Sequence, residues 1–158
     1  MIYIFMGVSG TGKTTLGERF ASEINLPFYD ADDFHPTANI EKMRSGVSLN
    51  DEDRAPWLDN MARHIVDWDK AGGAVLACSA LKESYRQILN RNEGVSLKWI
   101  FIEADFDLLK ERLSSRKGHF FNPALLKSQF ETLEPPAYGI RVSAHDTLEE
   151  QLEELSRL

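Results

Sequence analysis

A chain of 158 residues is long enough for one domain with its own hydrophobic core and too short for two of ordinary size. Its 18 basic and 25 acidic side chains leave a formal net charge of -7, a surface that repels phosphate backbones and makes nucleic acid a poor partner. The single cysteine, Cys78, excludes an internal disulfide, and no apolar stretch approaches the roughly 20 residues of a bilayer span. The sequence opens on Ile2-Tyr3-Ile4-Phe5-Met6 without a basic leader or cleavage site, so the expectation is a cytoplasmic protein with no membrane partner.

In chain order, residues 2–6 form an apolar run ending at Gly7, the pattern of a buried strand. A helix is predicted from Lys13, with Leu16, Phe20 and Ile24 on one face. Residues 26–30 read as a second short strand. Residues 51–71 read as a long helix with a stripe of Trp57, Met61, Ile65 and Trp68, ended by Gly72-Gly73. Residues 74–78 are another buried strand, followed by a helical stretch with Tyr85, Ile88 and Leu89. A fourth strand covers 97–102, and Asp105 caps a helix carrying Phe106, Leu109 and Leu113. Asn122-Pro123 is an N-cap followed by a first-turn proline, opening a helix to about residue 131. A weak last strand at 140–143 precedes an amphipathic helix marked by Leu148, Leu152 and Leu155. Strands alternating with helices predict an α/β fold with a parallel sheet covered on both faces, whose ligands bind at the carboxyl ends of the strands.

The segment between the first strand and first helix, Gly7-Val8-Ser9-Gly10-Thr11-Gly12-Lys13-Thr14, matches G-x-x-x-x-G-K-[ST] in full. Its glycines let successive backbone N–H groups turn inward on phosphate oxygens, and the helix beginning at Lys13 adds the positive end of its dipole. Gly7, Ser9, Gly10, Thr11, Gly12, Lys13, Thr14 and Thr15 are the candidate nucleotide-binding residues. Lys13 reaches the β- and γ-phosphates, and the Thr14 hydroxyl takes a position on Mg²⁺. No Asn/Thr-Lys-x-Asp guanine reader accompanies the loop, which favours ATP.

The second strand ends in Asp30-Ala31-Asp32-Asp33. Two residues apart on an extended segment, Asp30 and Asp32 are expected to share a face at the carboxyl edge of the sheet. One carboxylate near the metal and one near an acceptor hydroxyl is what phosphoryl transfer to an alcohol needs. The plainer alternative is an acidic turn that caps the next helix through Asp33 or Thr37.

The run 32–58, DDFHPTANIEKMRSGVSLNDEDRAPWL, closely resembles the gluconate kinase family of bacteria and eukaryotes. So do Cys78-Ser79-Ala80-Leu81-Lys82, Arg116-Lys117-Gly118-His119-Phe120-Phe121 and Gln129-Phe130-Glu131-Thr132-Leu133-Glu134. The resemblance extends to about residue 135. It implies a three-layer P-loop kinase fold with a five-stranded parallel sheet of order 2-3-1-4-5, a short lid at about 112–124, and a homodimer. Substrate-binding regions at about 33–60 and 79–90 would lie within one domain, 1–158. The implied reaction is transfer of phosphate from Mg-ATP to the 6-hydroxyl of D-gluconate. By similarity to the related shikimate kinases, Asp30 would hold Mg²⁺ through water, while Asp32 would accept the hydroxyl proton or orient it.

Gluconate carries a carboxylate and five hydroxyls, so a basic clamp is expected, with Arg54, Lys82 and Arg86 as candidates. His35 and Lys42 are candidate hydroxyl readers. Without the resemblance, these basic residues would read as a solvated helix face. Arg112, Arg116, Lys117 and His119 cluster where the fold places its lid. Arg116 is the candidate for stabilising charge on the transferred group, and Arg112 either complements its helix dipole or stacks on adenine. His119 fits a lid hinge or anchor better than a metal ligand. Cys78, His64, Trp57 and Trp68 read as packing residues. The chain departs from the family after Glu134, where Pro135-Pro136-Ala137-Tyr138-Gly139 is a shorter connection to a less apolar last strand. The adenine-holding loop would then be 144–147. A kinase for another small acid or polyol, and a nucleotide-binding protein without transfer chemistry, are the alternative readings.

Overall fold

The computed structural model describes residues 1–115 and 122–158. Its frame is a five-stranded sheet of β1 (Ile2–Met6), β2 (Phe28–Asp30), β3 (Ala74–Ala77), β4 (Leu97–Glu103) and β5 (Ile140–Ser143). The strand order is β2-β3-β1-β4-β5 and every pairing is parallel, as expected. The described helices are α1 (Lys13–Glu23), α2 (Thr37–Arg44), α3 (Asp51–Lys70), α4 (Glu83–Leu89), α5 (Phe106–Ser114), α6 (Pro123–Thr132) and α7 (Leu148–Leu155), with a 3₁₀ turn at Ala31–Phe34.

The two-residue period of the central strands divides the core. Ile2, Ile4 and Met6 of β1 pack with Leu76, Trp99 and Phe101 against Trp57, Met61 and Ile65 of α3 and Leu126 of α6. Phe5, Val75, Ile100 and Ile102 face the other way, onto Leu16 and Phe20 of α1 and Leu152 and Leu155 of α7. Both faces of β1 and β3 are therefore buried, which is why these strands are apolar throughout.

The helix caps follow sequence chemistry. Asn50 and Asp53 form a reciprocal capping box on α3, and Thr147 and Glu150 form one on α7. The carboxylate of Asp105 accepts the Leu108 N–H, and Asn122 accepts the Ala124 N–H ahead of first-turn Pro123. Two expectations need correction. The second strand begins at Phe28, because the Leu26 N–H turns back to the Ala21 carbonyl at the end of α1 and Pro27 has no N–H to donate. Neither Asp33 nor Thr37 caps the following helix. Instead Asp30 caps the 3₁₀ turn by accepting the Asp32 N–H, and Pro36 occupies the N-cap of α2 without a side-chain bond.

Candidate active site

The carboxyl ends of β1, β2 and β3 open into a cavity of about 290 Å³. Ser9, Gly10, Gly12, Lys13, Thr14 and Thr15 supply one wall, and Asp30, Asp32, His35, Arg54 and Trp57 line another. Cys78 forms part of the floor, and Leu125, Ser128 and Gln129 of α6 close a third side. The loop's shape depends on glycine at defined positions. Gly7 has φ of 147°, and a Cβ there would stand 2.8 Å from the Ile102 carbonyl oxygen. Gly12, at φ 97°, is the N-cap of α1, so the chain turns directly from the loop into a helix whose first N–H groups face the cavity.

Lys13 lies along the inside of the loop, its Nζ donating to the Gly7 and Val8 carbonyls at 2.8 and 3.0 Å. Burial lowers its pKa, and the Asp32 and Asp30 carboxylates oppose that shift. Gly7 and Thr11 stand behind the cavity wall. Gly7 sets the turn, while the buried Thr11 hydroxyl donates to the Val8 carbonyl at 3.1 Å. Thr14 Oγ1 donates to Asp30 Oδ2 at 2.9 Å. A hydroxyl and a carboxylate oxygen side by side at the rim of a phosphate loop form a hard-oxygen pair suited to Mg²⁺, which is held by few protein ligands together with substrate phosphates.

Asp30 and Asp32 do meet at this edge, but not through the alternation of a strand. β2 stops at Asp30, and its carboxylate Oδ1 accepts the Asp32 N–H at 3.0 Å, starting the 3₁₀ turn. The Asp32 side chain remains 78% exposed, projecting into the cavity. Its concave surroundings nonetheless raise its pKa above the usual carboxylate range, with Lys13 as the main opposing charge. Exposure to solvent and this upward shift pull in different directions. The walls around the carboxylate displace part of its hydration, and that loss disfavours the charged form.

The basic candidates separate. Arg54 lines the cavity, donates to the Tyr85 hydroxyl at 2.9 Å and lies 5.3 Å from the centre of that ring. Tyr85 donates in turn to Asp51, which also accepts from Lys82 at 3.1 Å. Lys82 borders a neighbouring recess that it shares with Asp51 and Arg54. Lys42 is bound to Asp53 at 2.7 Å and does not line the main cavity. Arg86 departs from the expected clamp role. It is 1% exposed, and its guanidinium donates to the carbonyls of Ala80 and Glu134 and to the Glu83 carboxylate. A guanidinium occupied by acceptors on several sides has no free edge for a ligand.

His35 lies flat on Trp57, with ring centres 4.1 Å apart, and faces Asp32. Arg112 donates to the Ala144 carbonyl, which ties α5 to the loop after β5. Arg116 and His119, expected in the lid, lie outside the described residues. Cys78 is buried and its thiol is pushed up to about 12 by that burial, so it serves packing rather than nucleophilic chemistry.

Sequence reasoning missed Gln129 and Asn39. Gln129 accepts the Ser9 N–H at 2.7 Å and donates to the Ser9 hydroxyl at 2.9 Å, fastening α6 to the phosphate loop. It opens the run Gln129-Phe130-Glu131-Thr132-Leu133-Glu134, but nothing local marks a helix glutamine as a loop anchor across 120 positions. Asn39 is buried on α2, and nothing in the residue types around it marks an asparagine there as buried.

A parallel β2-β3-β1-β4-β5 sheet with a phosphate loop after its first strand and paired carboxylates after its second defines a P-loop kinase. The family model described as shikimate kinase matches residues 9–139. A probable gluconokinase of Dictyostelium discoideum is 48% identical over 142 residues, covering 86% of this chain and 71% of that protein. The gluconokinase of Gluconobacter oxydans is 45% identical over 158 residues, covering 98% and 88%. The crystal structure of a gluconokinase from Sinorhizobium meliloti superposes with a TM-score of 0.87 at 37% identity, covering 98% of this chain and 91% of that one. The chain belongs to the gluconokinase family of P-loop kinases.

Proposed function

We propose that the protein transfers the γ-phosphoryl group of ATP to the 6-hydroxyl of D-gluconate, giving 6-phospho-D-gluconate and ADP. The observation that carries this reading is the Asp32 carboxylate projecting into the same cavity as Lys13 and the Thr14–Asp30 pair. Phosphate binding, metal ligation and proton acceptance are thereby available within one cleft. The loop N–H groups, Lys13 and the start of α1 hold the phosphates, and Thr14 directly and Asp30 through water would hold Mg²⁺. Mg²⁺, when bound, neutralises charge on the β- and γ-phosphate oxygens. Asp32 orients the 6-hydroxyl and takes its proton as the new O–P bond forms and the bond to the ADP leaving oxygen breaks. The loose transition state asks little base strength of it.

Of the basic residues, Arg54 is the one whose guanidinium both lines the cavity and retains donors beyond its bond to Tyr85, so we assign it the gluconate carboxylate. Lys82 and Lys42 support it at the rim through Asp51 and Asp53. We further assign Arg112 and the loop 144–147 to the adenine side, Arg116 to charge stabilisation from a lid at about 112–124, and the active form to a homodimer. No described helix is long and apolar enough to cross a membrane.

The match to the shikimate kinase model favours one second reading, a kinase for a different small hydroxy acid. A panel of sugar acids, polyols and shikimate, assayed for ADP release with Mg-ATP, tests both. Gluconate should give the highest kcat/KM. Turnover confined to another acid would transfer the assignment to that acid, and no turnover with any acceptor would remove catalysis from the reading.

A further inference from the structure

The side chain of His35 is 4% exposed, too enclosed for an ordinary surface imidazole. Its Nδ1 lies 3.3 Å from Asn39 Nδ2, and its Nε2 lies 3.8 Å from Asp32 Oδ1. Asn39 is itself 5% exposed, and its Nδ2 donates at 2.9 Å to the Asp53 backbone carbonyl in the first turn of α3. A carbonyl only accepts, so this bond fixes which end of the amide is nitrogen. The second Nδ2 hydrogen then points to His35, whose Nδ1 must be an acceptor. In a neutral imidazole the proton is therefore on Nε2, the atom facing Asp32. Trp57 holds the ring plane, stacking on it at an interplanar angle of 19° while donating its own Nε1–H to the Ala31 carbonyl at 2.8 Å. Burial lowers the His35 pKa, which favours the neutral form at neutral pH.

We propose that His35 is a positioning residue for the transfer step rather than a reader of substrate hydroxyls: Asn39 holds it as the Nε2–H tautomer, and that N–H steers the Asp32 carboxylate toward the acceptor hydroxyl. The 3.8 Å separation is longer than a hydrogen bond, and a small rotation of the exposed Asp32 side chain closes it. Apo geometries of this kind tighten when substrate engages the second carboxylate oxygen. This inference rests on the gluconate kinase reading for its kinetic half and on the hydrogen-bond network for its structural half.

Two measurements test it. In ¹⁵N-labelled protein, the imidazole ¹H–¹⁵N correlations of His35, assigned by their loss in His35→Gln, should show an unprotonated Nδ1 and a protonated Nε2. Steady-state kinetics with Mg-ATP and D-gluconate should show kcat of His35→Ala lowered about 10- to 100-fold with gluconate KM changed less than about threefold. His35→Gln, whose amide can return an N–H near the Nε2 position, should recover most of that loss. A wild-type His35 protonated on Nδ1 overturns the proposal, as does a His35→Ala variant whose KM rises while kcat holds. If wild-type protein releases no gluconate-dependent ADP, the substrate assignment falls, while the tautomer still decides the Asn39–His35 arrangement and the kinetics move to the acceptor found in the panel.

Discussion

At the scale of single residues, position in the cleft separates groups that look alike in the chain. Asp32 and Asp33 are adjacent carboxylates, yet Asp32 lines the cavity beside Lys13 and Asp33 does not. Asp32→Asn keeps the shape and removes the proton acceptor. We expect it to retain ATP binding while kcat falls at least about 100-fold, a common general-base contribution. Nucleotide titration by fluorescence or calorimetry, run beside the ADP assay, separates the two effects, and near-normal turnover would exclude the role. Arg54 and Arg86 are a second contrasting pair. Both were legible as candidate clamps, but the burial of Arg86 against backbone carbonyls becomes visible only once the chain returns at Glu134 to meet it.

At the scale of elements, the connection after β3 shows what Arg86 does instead. Ala80 adopts φ of 43°, a left-handed conformation that a non-glycine residue enters only under constraint. The Arg86 guanidinium donates to the Ala80 carbonyl at 2.8 Å and to the Glu134 carbonyl at 2.7 Å, while the Glu134 N–H returns to the Leu81 carbonyl. One buried cation thus joins the β3–α4 turn to the segment after α6. Arg86→Met retains much of the side-chain volume and leaves these acceptors without a donor, which should cost about 2–4 kcal/mol of stability. The midpoint of urea unfolding measures it, and a change under about 0.5 kcal/mol would contradict this account. Helices and strands themselves were largely legible. Capping residues Asp105 and Asn122 and the apolar stripe of α3 act through neighbours two to four positions away, which is the range a sequence pattern records. The 3₁₀ turn at 31–34 was not legible, because Asp30 and Asp32 fit an extended pair as well as a capped turn until the backbone bond between them is known.

At the scale of the whole molecule, ionisation couples the site to stability. Burial lowers the folded-state pKa of His35, which faces Asp32 and Arg54, so the unfolded chain takes this proton first as pH falls. Stability should therefore begin to decline as pH drops below about 6.5, the ordinary histidine value, and this contribution is lost by the lowered folded value. The raised pKa of Asp32 acts in the opposite sense, since its folded form binds a proton above the unfolded value and that offset grows toward acid. Asp51, Asp53 and Asp105 have lowered pKa values, Asp51 through Tyr85 and Lys82, Asp53 through Lys42 and the Asn50 N–H, Asp105 through the Leu108 N–H and His145. Their contribution is present above about 3.9 and disappears as pH falls through their folded values. Thermal melts across the pH range should show the histidine component diminished in His35→Gln, and an unchanged slope below pH 6.5 would remove His35 as its source.

The sequence by itself determined the alternation of strands and helices, the caps at Asp105 and Asn122 and the phosphate loop, because each depends on residue type and short spacing. Its motifs also carried the likeness to the gluconokinase family that the relatives bear out. Tertiary structure alone decided which side chains of those motifs share the cleft. It turned Arg86 into a buried brace, joined Gln129 to Ser9, and placed Asn39 behind His35. These partnerships join segments separated in the chain or set by local turns that periodicity does not encode, so their hydrogen bonds exist only after the sheet and helices have assembled around one cavity.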